Sequence, residues 1–138
     1  MPDIQVTQID PNTGAVTLGI GNNPKILTGI DLLAQVVALS FLRNPGQNVL
    51  AFTEGSGIRQ DIGQTSISSV DQANMLVMQR AKIVEQEVIS RQVVAVGDPS
   101  ENLLSLTVLS VASDLDTASA AAVVKIVNET GDSTTILV

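Results

Sequence analysis

Carboxylates are the side chains of this chain best suited to chemistry, because the sequence contains neither cysteine nor histidine. Glu85 and Glu87 stand two positions apart in a segment with helical periodicity, and residues at that spacing point to different faces of a helix. A glycosidase-type pair would need Glu54 or Glu101 to be brought beside one of them by the fold. A solvated helix face is the simpler interpretation of these glutamates.

Nucleophilic and metal chemistry have little support in the sequence. Without cysteine and histidine, disulfides, thiolate or imidazole metal sites and histidine-based triads are excluded. Serine and threonine are plentiful, but no side chain that is a strong base near neutral pH is present to activate them. The sequence predicts that the protein is not an enzyme and has no catalytic residue, cofactor or metal ligand.

Two turns resemble ligand-binding loops only in part. Gly55-Ser56-Gly57 could cradle a phosphate, but no Lys-Ser or Lys-Thr pair follows it. Asp114-Leu115-Asp116 resembles the start of a calcium loop, but the sixth position is not glycine and Lys125 stands at the twelfth. Both segments are interpreted as plain turns.

Composition argues against nucleic acid and membrane as partners. Seven basic and fourteen acidic residues give a net charge of −7, which repels phosphate backbones. The aromatic fraction of 1% disfavours sites that stack bases or sugars on rings. The longest apolar run, residues 30–42, is broken by Asp31, Gln35 and Ser40 and is too short to span a bilayer.

The elements that would position any site begin with a hairpin and a helix. Residues 3–9 alternate apolar and polar, a turn occupies residues 10–14, and residues 15–20 return as a second strand. This predicts an N-terminal β-hairpin arm, residues 1–24, followed by an α+β domain, residues 25–138. A helix begins near Thr28, is apolar on most sides, and ends at Pro45-Gly46.

The rest of the chain predicts a second helix and a C-terminal antiparallel meander. The helix spans roughly residues 70–90, with an apolar stripe of Ala73, Met75, Leu76 or Val77, Ile83 or Val84, and Val88. Strands are expected at residues 92–96, 102–112, 121–128 and 134–138. In the second of these, one side should carry Leu104, Leu106 and Val108, and the other side Thr107, Leu109 and Val111.

The last strand is a candidate partner-binding edge. It consists of Thr134, Thr135, Ile136, Leu137 and Val138 and carries no lysine or proline. Proteins normally blunt an exposed strand edge. Either another chain covers this strand by strand addition, or it lies inside the domain's own sheet; the sequence leaves both open.

The order of helix, Pro-Gly stop, glycine turn, second helix and valine-rich strands resembles the baseplate wedge family of contractile phage tails. This family is grouped with phage W-type head–tail proteins and the wedge subunit of type VI secretion baseplates. The matching residues are Ile30-Asp31-Leu32-Leu33 through Leu42-Arg43-Asn44-Pro45-Gly46, then Glu54-Gly55-Ser56-Gly57-Ile58, and the resemblance covers roughly residues 26–112. The family's Glu-Pro-Arg near the end of the second helix reads Ile89-Ser90-Arg91 here. Only Arg91 of that motif is kept, and Glu87 could replace its acidic residue at a different spacing.

The resemblance implies a non-enzymatic structural subunit of the virion, assembled in the host cytoplasm and placed where the tail tube meets the sheath. Its helices would bundle with larger wedge proteins, and its strands would form a handshake-like sheet similar to the interlocking sheet of the sheath protein. The implied partners are other baseplate wedge subunits and the tail sheath protein, with the tail tube as a further candidate. The implied contact residues are Arg91, Glu87 and the strand Thr134–Val138.

Two other functions stay open. The same fold is seen in a bacterial anti-adaptor that binds a protease adaptor, so a soluble regulatory binding module is the first alternative. An acidic-site hydrolase that depends on Glu54 or Glu101 is the second.

Overall fold

The computed structural model describes residues 3–10, 12–19, 25–42, 69–94, 97–114 and 119–138. Within these residues, two α-helices, α1 (Gly29–Leu42) and α2 (Val70–Val94), lie between four short N-terminal strands and three longer C-terminal ones, and a 3-10 turn at Pro99–Glu101 precedes the latter. The strands are β1 (Asp3–Ile4), β2 (Thr7–Ile9), β3 (Val16–Leu18), β4 (Ile26–Leu27), β5 (Leu103–Asp114), β6 (Ser119–Asn128) and β7 (Ser133–Leu137). The predicted α+β class, with an N-terminal hairpin, two main helices and a C-terminal antiparallel meander, is confirmed. The predicted Pro45-Gly46 stop and the turn at Glu54–Ile58 lie outside the described residues.

The N-terminal segment forms the predicted hairpin, but its first strand is divided. Strands β2 and β3 pair antiparallel, whereas β1 pairs with β4, beyond the predicted arm. The division falls where the Gln35 side chain of α1 contacts the backbone: its Oε1 accepts from the Val6 N–H at 2.8 Å, and its Nε2 donates to the Ile4 carbonyl at 3.1 Å. These side-chain hydrogen bonds replace a strand ladder at that point. The boundary between residues 24 and 25 stays a prediction.

Helix α2 buries one narrow stripe, and its position corrects the expected one. Successive stripe residues are three or four positions apart, as the helical period requires; they are Ala73, Val77, Ala81, Val84 and Val88. Met75 is 61% exposed, so its predicted place in the stripe is wrong. Helix α2 also continues to Val94, so the predicted strand at residues 92–96 is wrong for residues 92–94, and residues 95–96 are not described.

The C-terminal meander has three strands in the order β5-β6-β7 instead of the four expected. Register shifts between Leu103 and Ser105 and between Val108 and Ser110 interrupt the β5–β6 pairing. Each β-bulge moves the following side chains to the other face of the sheet. The predicted facing of β5 is therefore wrong at both ends: Leu104 is 58% exposed, and Val111 packs against the core together with Leu106 and Val108.

Both helices cover one face of this sheet and form a single hydrophobic core with it. The helices contribute Leu33, Ala34, Val37, Ala38, Phe41, Val77, Ala81, Val84 and Val88, and the sheet contributes Leu103, Leu106, Ala122, Val124, Ile126 and Ile136. Aliphatic and alanine side chains fill nearly all of this core, as the scarcity of aromatic residues requires.

Candidate protein-interaction edge

Strand β7 is an edge strand that pairs with β6 on one side. Ala122 and Val138 exchange two backbone hydrogen bonds of 2.7 and 2.9 Å, and the Asn128 N–H donates to the Asp132 carbonyl at 3.0 Å. Antiparallel pairs alternate between hydrogen-bonded and non-hydrogen-bonded positions. The backbone groups turned toward β6 are consequently those of Thr134, Ile136 and Val138, and the groups turned away from it are those of Ser133, Thr135 and Leu137.

The chain's own hairpin covers one end of this outer edge. The Leu137 N–H donates to the Gly14 carbonyl at 2.7 Å, and Ala15 forms a parallel β-bridge with Leu137. Within the described ranges, no strand pairs with Ser133 or Thr135 on that side. Strand β7 therefore belongs to the domain's own sheet, at its edge, and strand addition by another chain stays a prediction.

The side chains of β7 divide into core and surface. Ile136 is 1% exposed and lies in the hydrophobic core, and Val138 packs against that core. Thr135 is exposed, whereas Thr134 and Leu137 are half-buried. Of the five predicted contact residues in the C-terminal strand, Thr135 is the one that presents both an exposed side chain and outward backbone groups.

Side chains of α2 occupy the opposite edge of the sheet, strand β5. The Leu106 N–H donates to Glu85 Oε2 at 3.3 Å, and the Gln92 side chain both accepts from the Leu103 N–H and donates to the Leu103 carbonyl, the latter at 3.1 Å. Such bonds satisfy edge groups that would otherwise attract another strand. Glu85 also forms an ion pair with Lys82 at 2.8 Å. Neither Glu85 nor Gln92 was expected in this role, because their partners are more than ten residues away in the sequence.

Glu87 and Arg91 form an ion pair along α2. The Glu87 backbone carbonyl also accepts from the Ser90 hydroxyl at 2.9 Å. Helix α2 packs on β5, and β5 and β7 are opposite edges of the sheet. The structure therefore places Glu87 and Arg91 away from Thr134–Val138, so the predicted contact residues form two separate surfaces.

The side of α2 turned away from the core carries mostly uncharged side chains of moderate size, together with the exposed Lys82. Met75, Met78 and Ile83 are exposed there, and three exposed glutamines, Gln72, Gln79 and Gln86, share that side. Methionine adapts its shape to different partners. This face is suited to contact with another helix.

The carboxylates near the start of β5 act in local structure. Asp98 Oδ1 accepts from the Ser100 N–H at 2.9 Å and from its hydroxyl at 2.8 Å. The backbone hydrogen bond first, and then the hydroxyl bond, lower the pKa of Asp98 from its ordinary value. Glu101 Oε1 accepts from the Gly29 N–H at the start of α1, at 3.5 Å. Glu54 and the predicted turn at Gly55-Ser56-Gly57 lie outside the described residues.

No group of three or more acidic side chains in the described part of the chain is arranged to hold a metal ion. In the same residues, neither helix has the length and apolarity needed to cross a membrane.

Comparison of the chain with protein-family models, with curated proteins and with solved structures found no match. Its function must accordingly be inferred from its residues and from the geometry of its two exposed surfaces.

Proposed function

We propose that this chain is a structural subunit of a contractile phage tail baseplate wedge, and that β7 accepts an extended strand of the tail sheath protein. The observation that carries the proposal is the part-open outer edge of β7, where Ser133 and Thr135 present backbone groups without a strand partner among the described residues. The resemblance of residues 26–112 to the wedge family supports the identity of the partner.

Strand addition fits the chemistry of this edge. An incoming strand would gain main-chain hydrogen bonds from Ser133 and Thr135, which is the usual source of affinity in strand addition. Ser133 and Thr135 are both exposed and uncharged. Strand β7 also contains no lysine or proline, the residues that would repel or block a partner strand. The start of the opposite edge is less available to a partner, because Glu85 and Gln92 hydrogen-bond to the backbone of Leu106 and Leu103 there.

The outer face of α2 supports the second part of the proposal, which is bundling with helices of larger wedge subunits. Helix α2 has 25 residues and α1 has 14, so α2 is longer than its contact with α1 requires. Its outward side presents Met75, Met78 and Ile83 between glutamines. Contact with a partner helix would bury these apolar side chains, and burial of apolar area favours association.

This same face is also the observation that favours a regulatory binding module as the alternative function. Such a module would bind its target through α2, and the edge of β7 would not take part in binding. The two proposals therefore differ in which surface a partner protects.

The test is direct binding of the purified full-length chain to the tail sheath protein of the same source. We expect a complex in which the amides of Ser133 and Thr135 gain protection from hydrogen exchange. A complex that protects α2 alone would favour the regulatory module. No complex with sheath protein at about 1 mM, which means a binding free energy weaker than about −4 kcal/mol, would contradict the proposal. Removing Thr134–Val138 is not a useful test, because Ile136 is part of the core.

A further inference from the structure

We propose that the tip of the β2–β3 hairpin, residues 12–15, is a displaceable cover on the outer edge of β7. It occupies the edge in the free protein, and an incoming strand must release it to pair with the whole length of β7. This inference depends on the proposed function only for the identity of the incoming strand.

The tip reaches the edge through one parallel β-bridge, and the hydrogen bond from Leu137 to Gly14 is part of that bridge. Leu137 donates to Gly14, and Ala15 is the bridge partner of Leu137. Three residues of β7 turn their backbone groups outward; this contact takes those of Leu137, and Gly14 also lies beside the Thr135 carbonyl oxygen. A partner strand that pairs with Ser133 and Thr135 can therefore extend to Leu137 only after Gly14 has left.

The tip keeps its own shape without β7. The Gly14 N–H donates to the Asp10 carbonyl at 2.8 Å, and the Asp10 N–H donates to the Ala15 carbonyl at 2.9 Å. Asp10 Oδ1 also accepts from the Asn12 N–H at 2.8 Å. Because these hydrogen bonds lie within the turn, release from β7 leaves them intact.

The base of the hairpin is held separately. Gln35 binds the backbone of Val6 and Thr7 at the start of β2, and Val16 packs against the core. The tip can therefore move from the edge while its base stays attached. This arrangement distinguishes a displaceable cover from a strand that belongs to the sheet.

Gly14 fits the tip closely to the edge. Its φ is +73°, a backbone region that favours glycine. A Cβ atom at this position would lie 3.3 Å from the Thr135 carbonyl oxygen and 3.5 Å from the Leu137 nitrogen. A larger residue would therefore strain the turn and press it away from β7.

The consequence is protection of an aggregation-prone edge before assembly. Exposed edges recruit other strands indiscriminately, and proteins often cover them with a loop. Here the covered end adjoins the apolar residues Ile136 to Val138, and the open end is the polar part of β7. Release of the tip would lengthen the pairing surface when the correct partner has already engaged Ser133 and Thr135.

The test uses a disulfide between the bridge partners, Ala15→Cys with Leu137→Cys, in the full-length chain. The chain has no cysteine of its own, so no other thiol competes, and residues that face each other in a bridge have a separation suited to a disulfide. We expect the oxidised form to bind sheath protein about ten-fold or more weakly than the reduced form. The reduced form is the matched control. Equal binding by the two forms would contradict the proposal that the tip must leave β7.

Amide hydrogen exchange of the unmodified protein tests, without any partner, whether the tip leaves β7. If the tip opens locally, the Leu137 amide exchanges about ten-fold or more faster than the Ile136 amide, which is bonded to β6. Gly14→Ala should accelerate exchange at Leu137 further, whereas Gly131→Ala, a strained position with no atom within 4 Å of the added Cβ, should not. Equal protection of the Leu137 and Ile136 amides from exchange would contradict the proposal that the tip is displaceable. Failure of the unmodified chain to bind sheath protein would instead count against the proposed function.

Discussion

The buried side chain of Gln35 holds Thr7 by two hydrogen bonds, one from the Thr7 N–H and one from its hydroxyl, each 3.1 Å long. Gln35 and Thr7 are both 1% exposed. A single glutamine in an apolar helix thus joins the N-terminal strands to the core.

Gln35→Leu should destabilise the protein by about 1–3 kcal/mol, because it leaves the buried N–H of Thr7 and the half-buried N–H of Val6 without their acceptor. Leucine fills a similar volume, so the loss reports hydrogen bonding more than packing. Urea denaturation would measure the change. Thr7→Val, which removes only the hydroxyl, should cost less, and an unchanged stability of Gln35→Leu would show that the contact is dispensable.

Two adjacent residues of α2 should differ sharply in their effect on stability. Val84 is 0% exposed and Ile83 is 40% exposed. Val84→Ala should cost about 2 kcal/mol, from lost burial of two carbon atoms and the cavity left behind. Ile83→Ala should change stability by less than about 0.5 kcal/mol. Thermal or urea unfolding of both variants measures these changes in stability. Equal losses would contradict the orientation of α2 that buries Val84 and exposes Ile83.

Gln92→Ala should expose the edge of β5. It removes both hydrogen bonds to Leu103, whose backbone is buried, and should lower the free energy of unfolding by about 1–3 kcal/mol. An edge without this cover should also associate, so light scattering should rise with protein concentration. Gln86→Ala, on the exposed side of the same helix, is the control. Behaviour of Gln92→Ala identical to that of Gln86→Ala would refute the role given to Gln92.

Asp98 should titrate below its ordinary value. The hydrogen bonds from Ser100 favour the ionised carboxylate and lower its pKa. Since the native pKa lies below that of the unfolded chain, the stabilisation is complete above the unfolded pKa and is lost as the pH falls through the native pKa. An NMR titration should give a midpoint below about 3.9, the usual value for aspartate. Ser100→Ala should move the midpoint upward, and a midpoint at or above the usual value would contradict the hydrogen bonds.

Elements with local signals were predictable from the sequence. The apolar spacing of α1, the tight turn at residues 130–133 and the β-branched strands β6 and β7 were all expected and are observed. Hydrogen bonds within the turn, such as the Asp132 N–H to Asn128 Oδ1 at 2.8 Å, join residues four positions apart, so local sequence carries their signal.

Features that depend on distant residues were not predictable. The bulges of β5 arise in its pairing with β6, and no residue type within β5 predicts their positions. Val93 and Val94 suggested a strand by their branching, yet they continue α2, whose last turn Gln92 fixes to Leu103. For the candidate site, the lack of lysine and proline made β7 a candidate edge without deciding between an edge and an inner strand. The contact between Leu137 and Gly14 joins residues more than one hundred positions apart, so no local pattern indicates it. The only signal for Gln35 was its polar character within an apolar run.

The most direct test of the central claim is sheath binding by Thr135→Pro. Proline removes the outward N–H of Thr135 and keeps the hydrogen bonds of β7 to β6, because Thr135 is not in a hydrogen-bonded pair with β6. Thr135→Val, with the same backbone groups and a similar shape, is the matched control. The strand-addition account predicts that Thr135→Pro folds but binds sheath protein about ten-fold or more weakly, while Thr135→Val binds normally. A folded Thr135→Pro that binds sheath protein as well as Thr135→Val would contradict it.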